Sequence, residues 1–349
     1  MSVYEYTGNL HVHSTYSDGS GDIPEIAAAA GKAGIDFVGI NDHHTLAGMK
    51  DGLEGWRDGV LILVGMENNH NNHHYLSYGA STEVPDNTDN PQKVIDAVNA
   101  QHGIGFIAHP FEKGSRMVFG GHAYTWDDWS VKGYTGISIW NYSSQWRDGA
   151  TGLVQALYNL YLKPHRPITG PCSEALAKLD EVAQQRRITA IGGSDAHAVK
   201  IKYGPLSPCI FPYQFLFRTV NTHVLLDSPL TGDVEIDKVK IYRALAEGKC
   251  FVAFDFYKPT KGFRYWAVNG ERLLSMGQAV DFSGGWEMKA ELPDKGDISI
   301  IRNGHVVIQE TGRSVKMLVE KPGAYRLAVR QRRGLGSLPW IYSNYLYFR

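Results

Sequence analysis

The sequence predicts an α/β protein in two parts: a barrel-sized α/β domain over residues 1–255, then a small antiparallel β-sandwich over 256–349. Three observations carry this. The chain has 349 residues, more than one ordinary domain, while a single α/β barrel absorbs about 250. The first 200 residues alternate short apolar runs with amphipathic ones, the pattern of β/α units around a largely parallel sheet. Beyond about residue 255 the texture changes to short β-like runs separated by turns.

The elements follow in order. "NLHVH" predicts a strand. "IPEIAAAAGKAG" predicts a helix, with Asp22 as N-cap, Pro24 in the first turn and Gly34 at the end. "DFVGI", "VLILVGM" and "HHYLSYG" read as strands, and "NPQKVIDAVNAQHG" as a helix closed by Gly103. "IGFIAHP", "TGISIWN" and "RITAIGGSD" are further strands. "TGLVQALYNLYLK", "SEALAKLDEVAQQRR" and "DKVKIYRALAEGK" are further helices. In the tail, the Asn-Gly pairs at 269–270 and 303–304 signal hairpins.

Composition narrows the function. Hydrophobic residues make up 43% and charged residues 20%, so a sizeable core is available. A formal net charge of -1 gives no reason to expect nucleic acid or an anionic membrane as partner, although it permits a local cationic pocket built by metal ions. Cys172, Cys209 and Cys250 are far apart, which fits a reducing compartment and argues against a disulfide framework or a thiolate zinc site. The opening "MSVYEYTGNL" has no signal-peptide pattern, and no apolar run approaches the ~20 residues of a membrane span. The expectation is a cytoplasmic protein.

Histidine is the informative residue. Of 14 histidines, 10 fall in the first 122 positions. His11 and His13 lie two apart on a strand and so share a face, while Val12 points the other way. Asp18 follows in a Ser/Gly-rich turn. Asp42 and His43 close "DFVGI", Glu67 follows "LILVGM", His74 opens "HYLSYG", His109 follows "IGFIA", and Asp195 and His197 follow "ITAIGG". In a β/α barrel such strand ends converge on one rim, where active sites form.

Each residue taken singly has a plain alternative: Asp18 and Asp42 as caps or turn residues, His109 as a satisfied core histidine, Glu67 as a lysine partner. Six coincident strand ends outweigh those alternatives, because unpartnered buried histidines and carboxylates are costly and metal coordination satisfies many at once. His70, His73, His102, His122, His165, His223 and His305 read better as surface or supporting residues. His73 is the one that exchanges roles with His74 most easily.

The set "HVHSTYSDGS", "INDHHT", "GME", "HYLSYG", "AHP" and "GGSDAH" resembles the polymerase and histidinol phosphatase (PHP) superfamily over roughly residues 7–200. The resemblance implies a distorted (β/α)7 barrel of PHP type, with two or three divalent transition metal ions (Zn, Mn or Fe) in a cleft at the strand ends. It implies that His11, His13, Glu67 and Asp195 hold the first ion and that Asp18, His43 and His197 hold the second. Glu67, His74 and His109 would hold a third, with Glu67 bridging. One departure is His44, which stands where the family often has Asp or Asn; an extra ligand, a proton carrier and a supporting residue all remain open for it. The tail, "GAYRLAVR" and "LPWIYSNYLYF", is similar to the β-domain ending of carbaryl-hydrolase-like metallohydrolases in the same superfamily.

Imidazole and carboxylate ligands without thiolate suit Zn, Mn or Fe in a catalytic setting. The expected activity is therefore a metal-dependent hydrolase, with the phosphoesterase reading first. Hydrolysis of carbamates or carboxylic esters on the same centre is the alternative, and a non-catalytic binding module comes last. The expected partner is a small-molecule ester, with oligomeric state open. Segment 111–150 is the expected source of substrate contacts: Arg116 to grip a phosphate, and Trp126, Trp129, Trp140 and Trp146 to wall a pocket, although packing is the commoner role for any one of them.

Overall fold

The computed structural model describes residues 3–116, 121–200, 208–334 and 336–349. Positions 117–120 of the expected substrate segment lie outside the described residues. The chain opens with β1 (Tyr4–Val12), α1 (Ile23–Ala33), β2 (Phe37–Ile40), α2 (Ala47–Lys50), β3 (Gly55–Arg57), β4 (Val60–Asn68) and β5 (Tyr75–Tyr78). Then come α3 (Pro91–Ala100), β6 (Ile104–Ile107), β7 (Gly136–Asn141), α4 (Tyr142–Asp148), α5 (Leu153–Leu162), α6 (Ser173–Gln185) and β8 (Thr189–Gly193). α7 (Tyr213–Leu216), β9 (Val220–Leu226), α8 (Val234–Glu247) and β10 (Cys250–Phe254) complete this part. The expected N-cap of α1 is present: the Asp22 carboxylate accepts from the Glu25 N–H, and Glu25 reciprocates in a capping box. Gly34 closes the helix at φ 80°.

The α/β class is as expected, but the strand directions are more mixed. β2 pairs parallel with β1 and β4, and β6, β7 and β8 run parallel. β5 is antiparallel to both β4 and β6, which corrects the reading of a largely parallel sheet. The reason is local: residues 69–74 join β4 to β5 without a helix, and so short a link returns the chain antiparallel. β8 comes back to β1 through the bridge between Val12 and Ala196, and the strand pairings close on themselves. The ends of β1, β2, β4, β6 and β8 are thereby brought to one rim.

The C-terminal part consists of β11 (Arg264–Asn269), β12 (Arg272–Ser275), β13 (Ala279–Val280), β14 (Glu287–Arg302), β15 (His305–Leu318), β16 (Gly323–Arg333), β17 (Gly336–Ser343) and β18 (Leu346–Phe348). Asn303 and Gly304 both take positive φ in the tight β14–β15 hairpin, as their sequence signal requires. This part has its own apolar core, with Trp286, Leu327, Val329 and Trp340 buried in it. It is nevertheless joined to the first part by backbone pairing: β10 lies between β9 and β17, antiparallel to both.

Two buried polar clusters reinforce that junction. Arg326 on β16 makes a bidentate pair with Asp180 on α6, at 2.8 and 2.7 Å, and the Tyr345 hydroxyl donates to the same carboxylate. His223 on β9 places Nδ1 2.9 Å from Glu5 and Nε2 3.0 Å from Asp255. Burial works against a charged imidazole there. The Asp255 and Glu5 carboxylates overcome it and lift the His223 pKa from the usual 6.5 to about 9.

A His223 pKa raised on folding stabilises fully below pH 6.5, and the contribution fades as the pH rises through about 9. Glu5 and Asp255 are lowered, so their contributions are lost on acidification below their usual 4.5 and 3.8. The expected outcome is that His223→Gln costs about 3–5 kcal/mol at pH 6.5, as for other broken buried pairs. It should also flatten the decline in denaturant midpoint between pH 6.5 and 9.5 (about 0.5 unit above the shifted pKa), compared with the parent protein. Denaturant titrations at a series of pH values check both.

Candidate metal centre

β1 delivers the first two imidazoles. Val12 is fully buried in the core, which leaves His11 and His13 facing the rim together. The backbone continues to pair beyond β2: His43 bridges to Glu67, and the Glu67 N–H donates to the Asp42 carbonyl. That extension sets His43 beside the carboxylate of β4. After β8, Asp195 sits at φ 53°, a left-handed conformation costly for a non-glycine residue. The bonds from Ala196 N–H to the His11 carbonyl and from His13 N–H to the Ala196 carbonyl hold it there. His109, after β6, also has positive φ.

The nine residues expected to hold metal come together in three overlapping groups. His11, His13, Glu67 and Asp195 form one, His13, Asp18, His43 and His197 the second, and Glu67, His74 and His109 the third. His13 therefore belongs to two groups, where the resemblance assigned it to one. Glu67 is the hub. Its Oε2 lies 3.0 Å from His11 Nε2, 3.2 Å from His13 Nε2 and 3.7 Å from His43 Nε2. Its Oε1 lies 2.8 Å from His74 Nδ1 and 3.2 Å from His109 Nε2. Asp195 Oδ1 approaches His11 and His13 at 3.2 and 3.3 Å, and Asp18 Oδ2 lies 3.2 Å from His197 Nε2.

The donor set fits cations better than it fits itself. Among the described residues no lysine or arginine pairs with Asp18, Glu67 or Asp195. Buried His11 Nδ1, both ring nitrogens of His13, and Asp195 Oδ1 have no hydrogen-bond partner among the described residues. Such groups are expensive to bury and match a divalent ion in kind. Burial opposes charge on Glu67, yet His11 and its neighbours keep it well below the carboxylate range. In the same way Asp195 and Glu67 raise His13, and Glu67 and Glu112 lift His109 to about 9. In two of the histidines the outer ring nitrogen is oriented by a backbone carbonyl, as metal-ligating histidines usually are: His197 Nδ1 lies 3.1 Å from the Asp195 carbonyl, and His109 Nδ1 3.4 Å from that of Tyr124.

Other expectations resolve individually. Asp42 supports the site from behind, accepting from Ser14 N–H at 2.7 Å and from the hydroxyls of Ser14 and Ser17, so it shapes the turn that carries Asp18. His73 bonds to the Thr88 carbonyl and Asp127, leaving His74 as the histidine on Glu67. His44, at φ 57°, has both ring nitrogens buried without a partner among the described residues and its ring beside His43 and His70, outside all three groups. Arg116 is exposed and belongs to none of them.

A cleft opens against His109, and Trp140 is the tryptophan of the expected four that lines it, with Glu112, Asn141, Gln145 and Asp148. Trp126 is buried in the core instead, and Trp129 and Trp146 pack on Phe111 and Phe211. Sequence reasoning passed over Arg147, which ion-pairs with Glu112, and Asn141, which donates to Asp195 Oδ2 at 3.2 Å. Asn141 is the last residue of β7, so the strand-end rule that found the ligands also marks it.

Because His13 serves two groups and His74 one, His13→Ala should lower the metal content of protein purified without chelator more than His74→Ala does. Elemental analysis of folded variants reads the difference; equal losses would contradict the shared role of His13.

Comparison with known proteins agrees with this geometry. Residues 9–133 match the family model of the PHP domain, a span that includes seven of the nine gathered residues and stops short of Asp195 and His197. A phosphoribosyl 1,2-cyclic phosphate 1,2-diphosphodiesterase from Eggerthella lenta is 38% identical over 60 residues, 17% of this chain; the match spans 23% of that protein's length. Among solved structures, a two-domain protein from Bacteroides vulgatus, described as containing a predicted PHP-like metal-dependent phosphoesterase, is 13% identical with a TM-score of 0.45. That likeness covers 99% of this chain and 96% of the other. A putative metal-dependent phosphoesterase from Bifidobacterium adolescentis is 15% identical with a TM-score of 0.36, covering 54% of this chain and 87% of that one. Likenesses this loose say nothing about chemistry. The family match rests on the residues that carry the site: residues 9–133 of this chain are similar to the PHP domain.

Proposed function

We propose that the protein is a metal-dependent phosphoesterase acting on a small-molecule phosphoester. The observation that carries this reading is the sharing of His13 and Glu67 among three ligand groups, which suits two or three adjacent divalent ions, Zn, Mn or Fe, rather than one. Bound there, such ions lower the pKa of water and offset the charge that develops on the attacked and leaving oxygens. The name of the Eggerthella relative supplies a precedent for phosphodiester chemistry.

This chain's own residues do the rest. The nine ligands fix the ions; Asn141, bonded to Asp195 and facing the cleft, orients a ligand carboxylate toward bound substrate. Asp148 also lines the cleft. Burial and the nearby Glu112 raise its pKa to about 6, so that it holds a proton for a departing alkoxide more readily than an ordinary carboxyl would. The Glu112–Arg147 pair beside His109 places a cation near the same cleft, a role expected of Arg116 from the sequence. His44, adjacent to ligand His43, is a second candidate proton carrier. A cytoplasmic setting fits the three free cysteines; no helix among the described residues is long and apolar enough to cross a membrane.

A panel of p-nitrophenyl phosphate mono-, di- and triesters, run beside aryl carbamates and acetates, tests the reaction class. Turnover of phosphoesters, abolished in His13→Ala and Asp195→Ala with circular dichroism unchanged, is the expected result. Turnover of carbonyl substrates alone would overturn it. Asp148→Asn should lower kcat by about 10²-fold or more, leave metal content unchanged, and remove a limb of the pH–rate profile near 6.

A further inference from the structure

α5 is built the wrong way round for a helix on the surface of a monomer. Its sequence, LVQALYNLYL, contains no charged residue. Leu153, Val154, Leu157, Tyr158, Tyr161 and Leu162 are all exposed, Val154 by 83% and Tyr161 by 70%. The side turned toward the rest of the chain carries Gln155, Ala156, Asn159 and Leu160, and within the helix only Asn159 is fully buried. A ten-residue helix is marginal in water unless its apolar face is packed, and this one turns a mixed side inward while all its large apolar and aromatic side chains except Leu160 face solvent. The surrounding fold therefore leaves out the contact that the helix needs.

We infer that this face of α5 is covered by the same face of a second copy of the chain, in a two-fold dimer. Three features favour that occupant. The exposed residues form two adjacent i, i+4 rows, 153–157–161 and 154–158–162, the ridges that interlock when two helices cross near −50°. The six exposed side chains carry no charge and so bring no like charges together across a two-fold axis, with Arg166, over the Tyr158 ring at 5.8 Å, the neighbouring cation that such a contact must keep apart from its copy. Six side chains at these exposures leave on the order of 700 Å² of apolar surface in water. That exceeds a typical monomer patch and approaches the ~800 Å² per partner of a standard interface. A helix lying on a lipid surface would instead carry a basic polar face, and α5 has no Lys or Arg within it.

The position matters for the site. α5 lies in the crossover from β7 to β8, between α4, which gives Gln145 and Asp148 to the cleft, and the turn before α6, which gives Gly170 and Cys172. A second copy seated on α5 holds this crossover, and with it one wall of the cleft.

Sedimentation velocity of the full chain at micromolar concentration tests the inference, with Val154→Asp/Tyr161→Asp as the variant. The expected result is a dimeric parent protein and a monomeric variant with unchanged circular dichroism and metal content. A monomeric parent, or a variant that stays dimeric, would overturn it, as would a monomeric parent that floats with phosphatidylcholine/phosphatidylglycerol vesicles. Should the double variant not fold, Leu157→Cys in a Cys209→Ser background serves instead: oxidation should yield a disulfide-linked dimer, and exclusively monomeric product would overturn the inference.

Discussion

The structure is organised around one buried carboxylate. Glu67 lies within 3.7 Å of five imidazoles, from His11, His13, His43, His74 and His109, and is almost wholly withdrawn from water. A carboxylate so placed is stable only if positive charge reaches it. Among the described residues no lysine or arginine does, so protons on the histidines or metal ions between them must. This requirement accounts for the convergence of so many strand ends on one point. The side chains that answer Glu67 arrive from β1 and from the connections after β2 and β6 and before β5.

Holding like-charged imidazoles within contact of one another requires a stiff frame. Hydrogen bonds to neutral groups provide much of it. Asn9 donates to the Val220 carbonyl and Asn221, and accepts from Ser194 N–H and hydroxyl, locking the residue before Asp195. Tyr213 donates to the His13 carbonyl and accepts from the N–H groups of Ser20 and Gly21, fixing both ends of the Asp18 turn. Positive φ at His44, His109 and Asp195 shows where the backbone is bent to aim side chains rather than to minimise local energy. The strain sits at the site and the rest of the fold sustains it.

The C-terminal sheet belongs to that support. Its strand β17 pairs with β10, and its Arg326 and Tyr345 clamp Asp180 on α6, the helix that leads into β8 and Asp195. The Asn344 side chain donates to the Ala190 carbonyl and accepts from the Ala190 N–H, inside β8 itself. The strand that delivers Asp195 is thus held in part from the tail of the chain. The α4–α6 crossover is less enclosed, with α5 presenting its apolar face to solvent and α4 shaping the cleft beside His109.

By itself the sequence determined the α/β class, the residue types of the site, and their places at strand ends. Those are local properties: a period-two strand puts His11 and His13 on one face whatever surrounds them, and capping and Asn-Gly signals act within a few residues. Tertiary structure decided what depends on distance across the fold. It gave Asp42 its partners, the Ser14 N–H and the hydroxyls of Ser14 and Ser17, and so its part in shaping the turn that carries Asp18. It reversed β5, paired Arg147 with Glu112 of the cleft wall, and gave His13 to two groups. None of these is encoded in spacing, because each turns on which side chain, far away in the chain, arrives within about 3–4 Å to share a proton, a hydrogen bond or an ion.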